Sequence, residues 1–384
     1  MTGITARPRP SPGGTMTFPP RTSRGTRPLS AAALLGASAL VLAGCGAAPE
    51  EGGEAQEQAT DFTGCIVSDS GGFQDRSFNQ NSYEGLQAVE ESMGIEVNQA
   101  ESQAETDFEP NLTSMVQSGC DLTLSVGFLL ADATRAVAEA NPESNFAIVD
   151  DASIELDNVK PLVYNTAEAA FLAGYVAAGS TQSGTVATYG GMDIPTVTVF
   201  MDGFADGIDH YNETKGEDVR LLGWDKDSQD GTFVNSFTDT SAAKTTTQNF
   251  INEGADIVLP VAGQAALGTL DAVVEANGGG GDEVRFVWVD ADGYETLDQG
   301  QEYQLTSVLK QMSTSVQDVV ESAAEGEFSN EPYVGTLEND GVGIAPFHDQ
   351  EEAVGEELAA EVEQLRQDII DGTVTVESEN SPQA

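Results

Sequence analysis

Residues 64–86 read GCIVSDSGGFQDRSFNQNSYEGL, an apolar run followed by a polar turn and then a stretch of helical period. The run is continuous in Ile and Val rather than alternating, as in a strand buried on both faces. The same unit recurs along the chain. Further apolar runs occupy 95–102, 121–127, 145–151, 160–165, 184–190, 218–224, 255–262, 284–290 and 303–310. Between them apolar residues fall three and four apart, as with Leu86, Val89 and Met93, or Leu267, Leu270, Val273 and Val274. Strand–helix alternation predicts an α/β protein with parallel sheets and right-handed crossovers. Ten runs are many for one open sheet, so a chain of 384 residues reads as two doubly wound sheets of about five strands each.

In such sheets ligands bind beyond the carboxyl ends of the strands, and two lobes side by side present those ends across a cleft. The polar residues at strand exits are Ser68, Asp69, Asp150, Asp151, Asp225, Gly263, Asp290, Asp292 and Lys310. Each is expected to line the cleft or to serve as a helix cap or turn residue.

The chain carries 64 Asp and Glu against 15 Lys and Arg, a formal net charge of -49. With 39% hydrophobic residues it still has material for a core, which places the acidity on surfaces. A body this negative repels phosphodiesters and anionic headgroups, so no nucleic-acid partner is expected and the ligand should be neutral or cationic. The Lys-poor, acid-rich composition also suggests solubility in concentrated salt, where screening weakens self-repulsion and added salt should raise the melting temperature.

Residues 21–44, RTSRGTRPLSAAALLGASALVLAG, join a basic stretch to a short apolar run, the pattern of an export signal spanning 1–44. The run ends LAGC at Cys45, which resembles the lipobox of bacterial lipoproteins. That implies lipidation of Cys45 and residence at the outer face of the cytoplasmic membrane. Met1 and Met16 are alternative starts. Residues 45–61 read as a flexible acidic tether. In an oxidising compartment Cys65 and Cys120 could pair, and two buried free thiols are the alternative. Residues 347–384 predict an acidic helix with Val354, Leu358, Val362, Leu365 and Ile369 on one face, then a disordered SENSPQA tail at 378–384.

Hydrolytic chemistry is poorly served. The only histidines are His210 and His348, and no G-x-S-x-G elbow is present. DKDSQDG at 225–231 has its glycine one position late for a calcium loop and lacks the closing Glu. GGGG at 278–281 lies between a helix and a strand, the wrong side for cradling phosphate. No metal or cofactor is therefore expected.

The segment SGGFQDRSFNQNSYEGL resembles the signature of the basic membrane protein family, the purine nucleoside-binding lipoproteins of ABC importers. SVGFLLADA (125–133), PESNFAIVDD (142–151), VYNTAEAAFLAGYVAA (163–178), GGMDIPTVTVFMDGFADGI (190–208), SFTDTSAAK (236–244), VLPVAGQAALG (258–268), VWVDADGY (287–294) and TSVLKQM (306–312) extend the likeness over about residues 62–346. The resemblance implies the type I periplasmic binding-protein fold, two lobes joined by three crossovers. The lobes are expected at 62–164 with 293–325 and at 165–292 with 326–346.

It also implies a purine stacked between Tyr83 and Phe237. Asp75, with Asn79 as a second candidate, would contact the base, and Asp150 or its neighbour Asp151 a polar edge. Gly263 would let the ligand approach backbone, Asp290 would accept from ribose hydroxyls, and Lys310 would fix a further oxygen. Relatives often carry an acidic pair where this chain has Gln74 and Asp75, a departure that bears on base preference. The implied partners are a membrane permease with its ATPase, and the receptor itself a monomer without enzymatic activity. The rival expectations are a receptor for a sugar or another small polar solute, a secreted nucleoside hydrolase-like enzyme, and a sensor docking to a receptor kinase.

Overall fold

A computed structural model describes residues 61–279 and 283–382. The export signal, Cys45 and the tether up to residue 60 lie outside the described residues. All ten apolar runs are strands, and two six-stranded sheets hold them.

The first sheet is built from β1 (Thr63–Ser68), α1 (Phe78–Met93), β2 (Glu96–Glu101), α2 (Phe108–Ser118), β3 (Leu122–Val126), α3 (Ala131–Ala140), β4 (Asn145–Val149) and β5 (Val159–Tyr164). The chain then crosses to α4 (Thr166–Ser180), β6 (Thr185–Gly190), α5 (Pro195–Lys215), β7 (Arg220–Leu222), the small hairpin β8 (Trp224–Asp225) and β9 (Asp230–Gly231), and α6 (Thr240–Asn252). The second sheet continues through β10 (Ile257–Val261), α7 (Leu267–Gly278), β11 (Arg285–Asp290), α8 (Gly293–Thr296) and β12 (Gln304–Lys310). Last come α9 (Met312–Ala324), β13 (Tyr333–Gly335), β14 (Val342–Ile344) and α10 (Glu351–Ile370).

The strand orders are β2-β1-β3-β4-β5-β13 and β7-β6-β10-β11-β12-β14, the same winding twice. In each sheet all pairings are parallel except β12 with β14. This is the type I periplasmic binding-protein fold. Three crossovers join the lobes, at Asn165, at Gln311 and at residues 336–341. They lie side by side, since Asn165 N donates to Gly335 O at 2.8 Å and Gln311 N to Gly341 O at 3.0 Å.

Two crossover segments differ from the sequence expectation. Residues 304–310, assigned with 293–325 to the first lobe, are strand β12 of the second sheet. Conversely, β13, expected with 326–346 in the second lobe, extends the first sheet along β5. Local pattern marks a strand but not the sheet that accepts it.

Helix α4 is buried nearly all round, and α5 packs on it at close range. A Cβ at Gly174, Gly203 or Gly207 would collide with the carbonyl oxygens of Phe204, Ala167 or Phe171, so glycine there sets the helix spacing. The α10 stripe docks on α4 through buried Val354, Val362 and Leu365. Cys65 and Cys120 are joined in a disulfide inside the first lobe, between the parallel neighbours β1 and β3.

The tail is another correction. Residues 378–382 are held on the second lobe rather than disordered: Ser378 Oγ donates to Asp202 Oδ2 at 2.6 Å and Asn380 Nδ2 to Thr198 Oγ1 at 2.9 Å. DKDSQDG forms the β8–β9 hairpin, with Lys226 paired to Asp206 at 2.7 Å.

Candidate functional site

The strand ends where the winding order reverses in each sheet, β1 and β3 in one lobe and β6 and β10 in the other, face a common cavity. It holds about 590 Å³ of atom-free space, mouth included. Of the expected site residues, Asp75, Asn79, Asp150, Phe237, Gly263, Asp290 and Lys310 line it.

On the first lobe the loop after β1 winds back on itself to start α1. Asp75 accepts from the backbone N–H groups of Ser77, Asn79 and Gln80 at 3.1, 2.8 and 3.0 Å, and from Asn79 Nδ2 at 3.0 Å. Four bonds saturate a carboxylate, so Asp75 shapes the helix entry and has no lone pair left for a base. This corrects its expected role as a direct ligand contact.

Its neighbours are less committed. Asp69 Oδ1 accepts from Gly71 N at 3.0 Å and Asn79 Nδ2 at 2.7 Å, while Oδ2 accepts no hydrogen bond among the described residues. Asn79 is 2% exposed, and its Oδ1 has no partner among the described residues. Burial raises the carboxyls of Asp69 and Asp75 above the ordinary range, against the hydrogen bonds that hold them down.

Lys310, at the end of β12, donates to both oxygens of Asp150, at 3.0 and 2.7 Å. Its ammonium also lies 5.0, 5.4 and 5.3 Å from the ring centres of Phe78, Tyr164 and Phe200. Asp290, at the end of β11, has Ser77 Oγ at 2.6 Å from its Oδ2 across the lobe boundary. Its Oδ1 has no hydrogen-bond partner among the described residues. Burial pushes Asp290 up to about 6, opposed by Lys310 and Ser77 and reinforced by Asp150 and Asp75. Burial likewise raises Asp150, and Lys310 opposes it. Asn81 fastens the junction, donating to Asp290 O at 3.1 Å and Lys310 O at 3.0 Å while its Oδ1 accepts from Ser313 N at 3.1 Å.

The second lobe supplies mainly apolar wall: Ile194, Val197 and Phe200 from α5 and its entry, Val261 and Ala262 at the end of β10, and Phe237. Phe237 rests on Gly191, where a Cβ would enter its ring, and Phe237 O accepts from Ala265 N at 2.8 Å. Gly263 lies beside it with a φ of +52°.

Tyr83 does not line the cavity. It packs on Phe73 with ring centres 4.8 Å apart, which corrects its expected stacking role. The first-lobe rings that do line the cavity are Phe78 and Phe128. Sequence reading missed both, and Gln264 as well. The signals were present, because Phe78 opens α1, Phe128 follows the exit of β3, and Gln264 adjoins Gly263. Of the other strand-exit residues, Asp151 accepts from Ser153, Asp292 is paired with His348 at 2.7 Å, and Asp225 lies in the hairpin.

Residues 62–380 match the Bmp family model, described as ABC transporter substrate-binding protein PnrA-like. The chain belongs to this family. The ABC transporter nucleoside-binding protein BmpA of Lactococcus lactis subsp. cremoris is 30% identical over 365 residues, spanning 92% of this chain and 99% of that protein. The CD4+ T-cell-stimulating antigen of Listeria innocua is 29% identical over 356 residues, spanning 88% and 95%. Among solved structures, an ABC transporter solute-binding protein of Aeropyrum pernix K1 superposes with a TM-score of 0.74 at 26% identity, covering 84% of this chain and 94% of that one. Several Pyrococcus relatives are named lipoproteins, the one from Pyrococcus furiosus being 29% identical over 230 residues, 59% of this chain and 56% of its own. As a Bmp-family substrate-binding protein, the chain takes a solute and has a permease and an ATPase as partners.

Proposed function

We propose that the solute is a purine nucleoside, captured between the lobes by a monomeric receptor anchored through Cys45 at the outer face of the cytoplasmic membrane. One observation carries this reading. Three acceptor oxygens without partners among the described residues, on Asp69, Asn79 and Asp290, belong to residues that share a cavity with aromatic rings from both lobes. A flat heterocycle suits the rings, each stacking contact contributing about 1–3 kcal/mol. Its N–H groups and ribose hydroxyls supply the donors that the three acceptors lack. Four carboxylates against one ammonium disfavour phosphate, so a nucleoside is preferred to its nucleotide.

Binding requires no bond to be made or broken. Contacts to both lobes at once favour the closed form, and the hinge is the crossover trio around Asn165 and Gln311. The relative named as nucleoside-binding adds support.

Titration calorimetry with adenosine, guanosine, inosine, adenosine monophosphate and ribose tests the reading. The expected order is nucleosides first, the nucleotide weaker and ribose weakest. A sugar bound more tightly than every nucleoside overturns it. Membrane fractionation of Cys45→Ala tests the anchor, with release into the soluble fraction expected and retention contradicting it.

A further inference from the structure

A second cavity adjoins the first and is not explained by nucleoside capture alone. The two share Phe128, Asp150, Thr196 and Lys310, so they are chambers of one cleft. The second holds about 560 Å³ of atom-free space, mouth included, on the hinge side. Its first-lobe wall includes Asp151, Ala152 and Tyr164, and its far wall is Asn380 and Pro382 from the C-terminal tail.

That tail is tied down along its length. Lys226 Nζ donates to Glu377 O, Ser378 Oγ to Asp202, and Asn380 Nδ2 to Thr198 and to Gln229 Oε1 at 3.3 Å. Ser381 Oγ then reaches Asn165 Oδ1 at 2.8 Å, on the first crossover between the lobes. Asp202 is fully buried and also accepts from Trp224 Nε1 at 3.0 Å, so the tail's main anchor is a group fixed in the core.

We propose that the C-terminal tail is the outer wall of a second subsite contiguous with the main cavity, and that it limits how far a bound solute extends toward the hinge. The subsite takes a short uncharged or cationic substituent bearing hydroxyl or amine donors. Asp150 and Asp151 exclude phosphate, and Asn380 and Pro382 set the length. The tail moves with the second lobe, to which most of its bonds run, so the chamber is complete only when Asn380 and Pro382 face Asp151 and Ala152. The size limit is therefore applied as the lobes meet, where mismatch acts directly on closure.

The proposal rests on the interlobe site and is tested separately from the nucleoside reading. The protein lacking residues 377–384 is compared with the full chain by hydrogen exchange without ligand. Faster exchange at amides 163–166 and 196–199 is expected, because these lose their cover. Both proteins are then titrated with adenosine, with N6-(6-aminohexyl)adenosine and with 5′-(6-aminohexyl)amino-5′-deoxyadenosine, which extend the nucleoside at opposite ends with cationic amine donors. Removing the tail should improve one of the two extended ligands relative to adenosine by about tenfold and leave the other unchanged. The milder Asn380→Ala should shift the same ratio in the same direction, and it serves if the truncated chain is unstable.

Unchanged exchange at both segments overturns the wall. Unchanged ligand ratios overturn the size limit even where exchange responds. If the full chain binds none of the three while exchange responds, the nucleoside reading fails and the wall is supported.

Discussion

Asp150 and Asp290 end equivalent strands of the two sheets, each with a φ of +70°, yet only Asp150 is paired with a cation. Asp290 has the Ser77 hydroxyl instead and is pushed up to about 6. The doubled winding delivers a carboxyl to the same place in each lobe, where burial raises both, against Lys310 at Asp150 and against Lys310 and Ser77 at Asp290. The walls around them diverge in the same sense. The first lobe brings Asp69, Asp75 and Asp150, whereas the second sets Asp290 among Phe237, Ile194, Val197 and Phe200. The cavity is therefore polar on its first-lobe side and largely apolar on its second.

Removing the cation should erase the distinction between the two aspartates at the largest cost. Lys310→Met strands Asp150 as an unpaired buried charge, and a loss of about 3–5 kcal/mol is expected at pH 8. The loss should shrink at pH 5, where the unpaired carboxyl takes up a proton. Urea unfolding at the two pH values checks this, and equal losses would mean that Asp150 is not the group left exposed to the change.

The next effect isolates Asp290. Its folded-state value lies above the ordinary 3.8, so between these limits the native protein binds more protons than the unfolded chain. Stability on this account is fullest below pH 4 and falls as pH rises toward about 6, by roughly 3 kcal/mol in all. Asp290→Asn keeps an acceptor for Ser77 and abolishes the titration. The variant should therefore gain on the parent as pH rises from 4 to 7 in urea midpoints, and a constant gap would show that Asp290 ionises normally.

Smaller effects concern the aromatic wall. Phe237→Ala should weaken nucleoside binding by about 1–3 kcal/mol in calorimetry, and unchanged affinity would remove its ring from the ligand. Tyr83→Ala should leave affinity unaltered and lower stability by about 0.5–1.5 kcal/mol through the lost contact with Phe73. A loss of affinity as large as that of Phe237→Ala would return Tyr83 to the cleft.

The contrast between Tyr83 and Phe78 also marks how far the sequence could be read. Both lie in one motif, and α1 starts at Phe78. Five residues of helix rotate a side chain by about 140°, so only one of the pair can face the cavity, and the choice depends on where the helix begins. The ten long strands were legible because Val, Ile and Leu run continuously through them. The short strands YVG and VGI carry a glycine and no such run, so neither their existence nor the place of YVG in the first sheet showed in the pattern. Asp75 was found but its role misjudged, because the backbone donors that saturate it appear only once the loop has wound. The polar tail read as disordered, since composition does not reveal that its hydroxyl and amide groups find fixed partners such as Asp202 and Thr198.

The bond between Cys65 and Cys120 closes a span of 55 residues around the first half of the lobe that bears Asp69, Asp75 and Asn79. On chain-entropy grounds such a link stabilises by about 4 kcal/mol, a sizeable share of what a domain has in all. While its thiols are reduced, the polypeptide is correspondingly easier to unfold. The durability of the loop that starts α1 thus depends on the redox state of two cysteines that lie outside it.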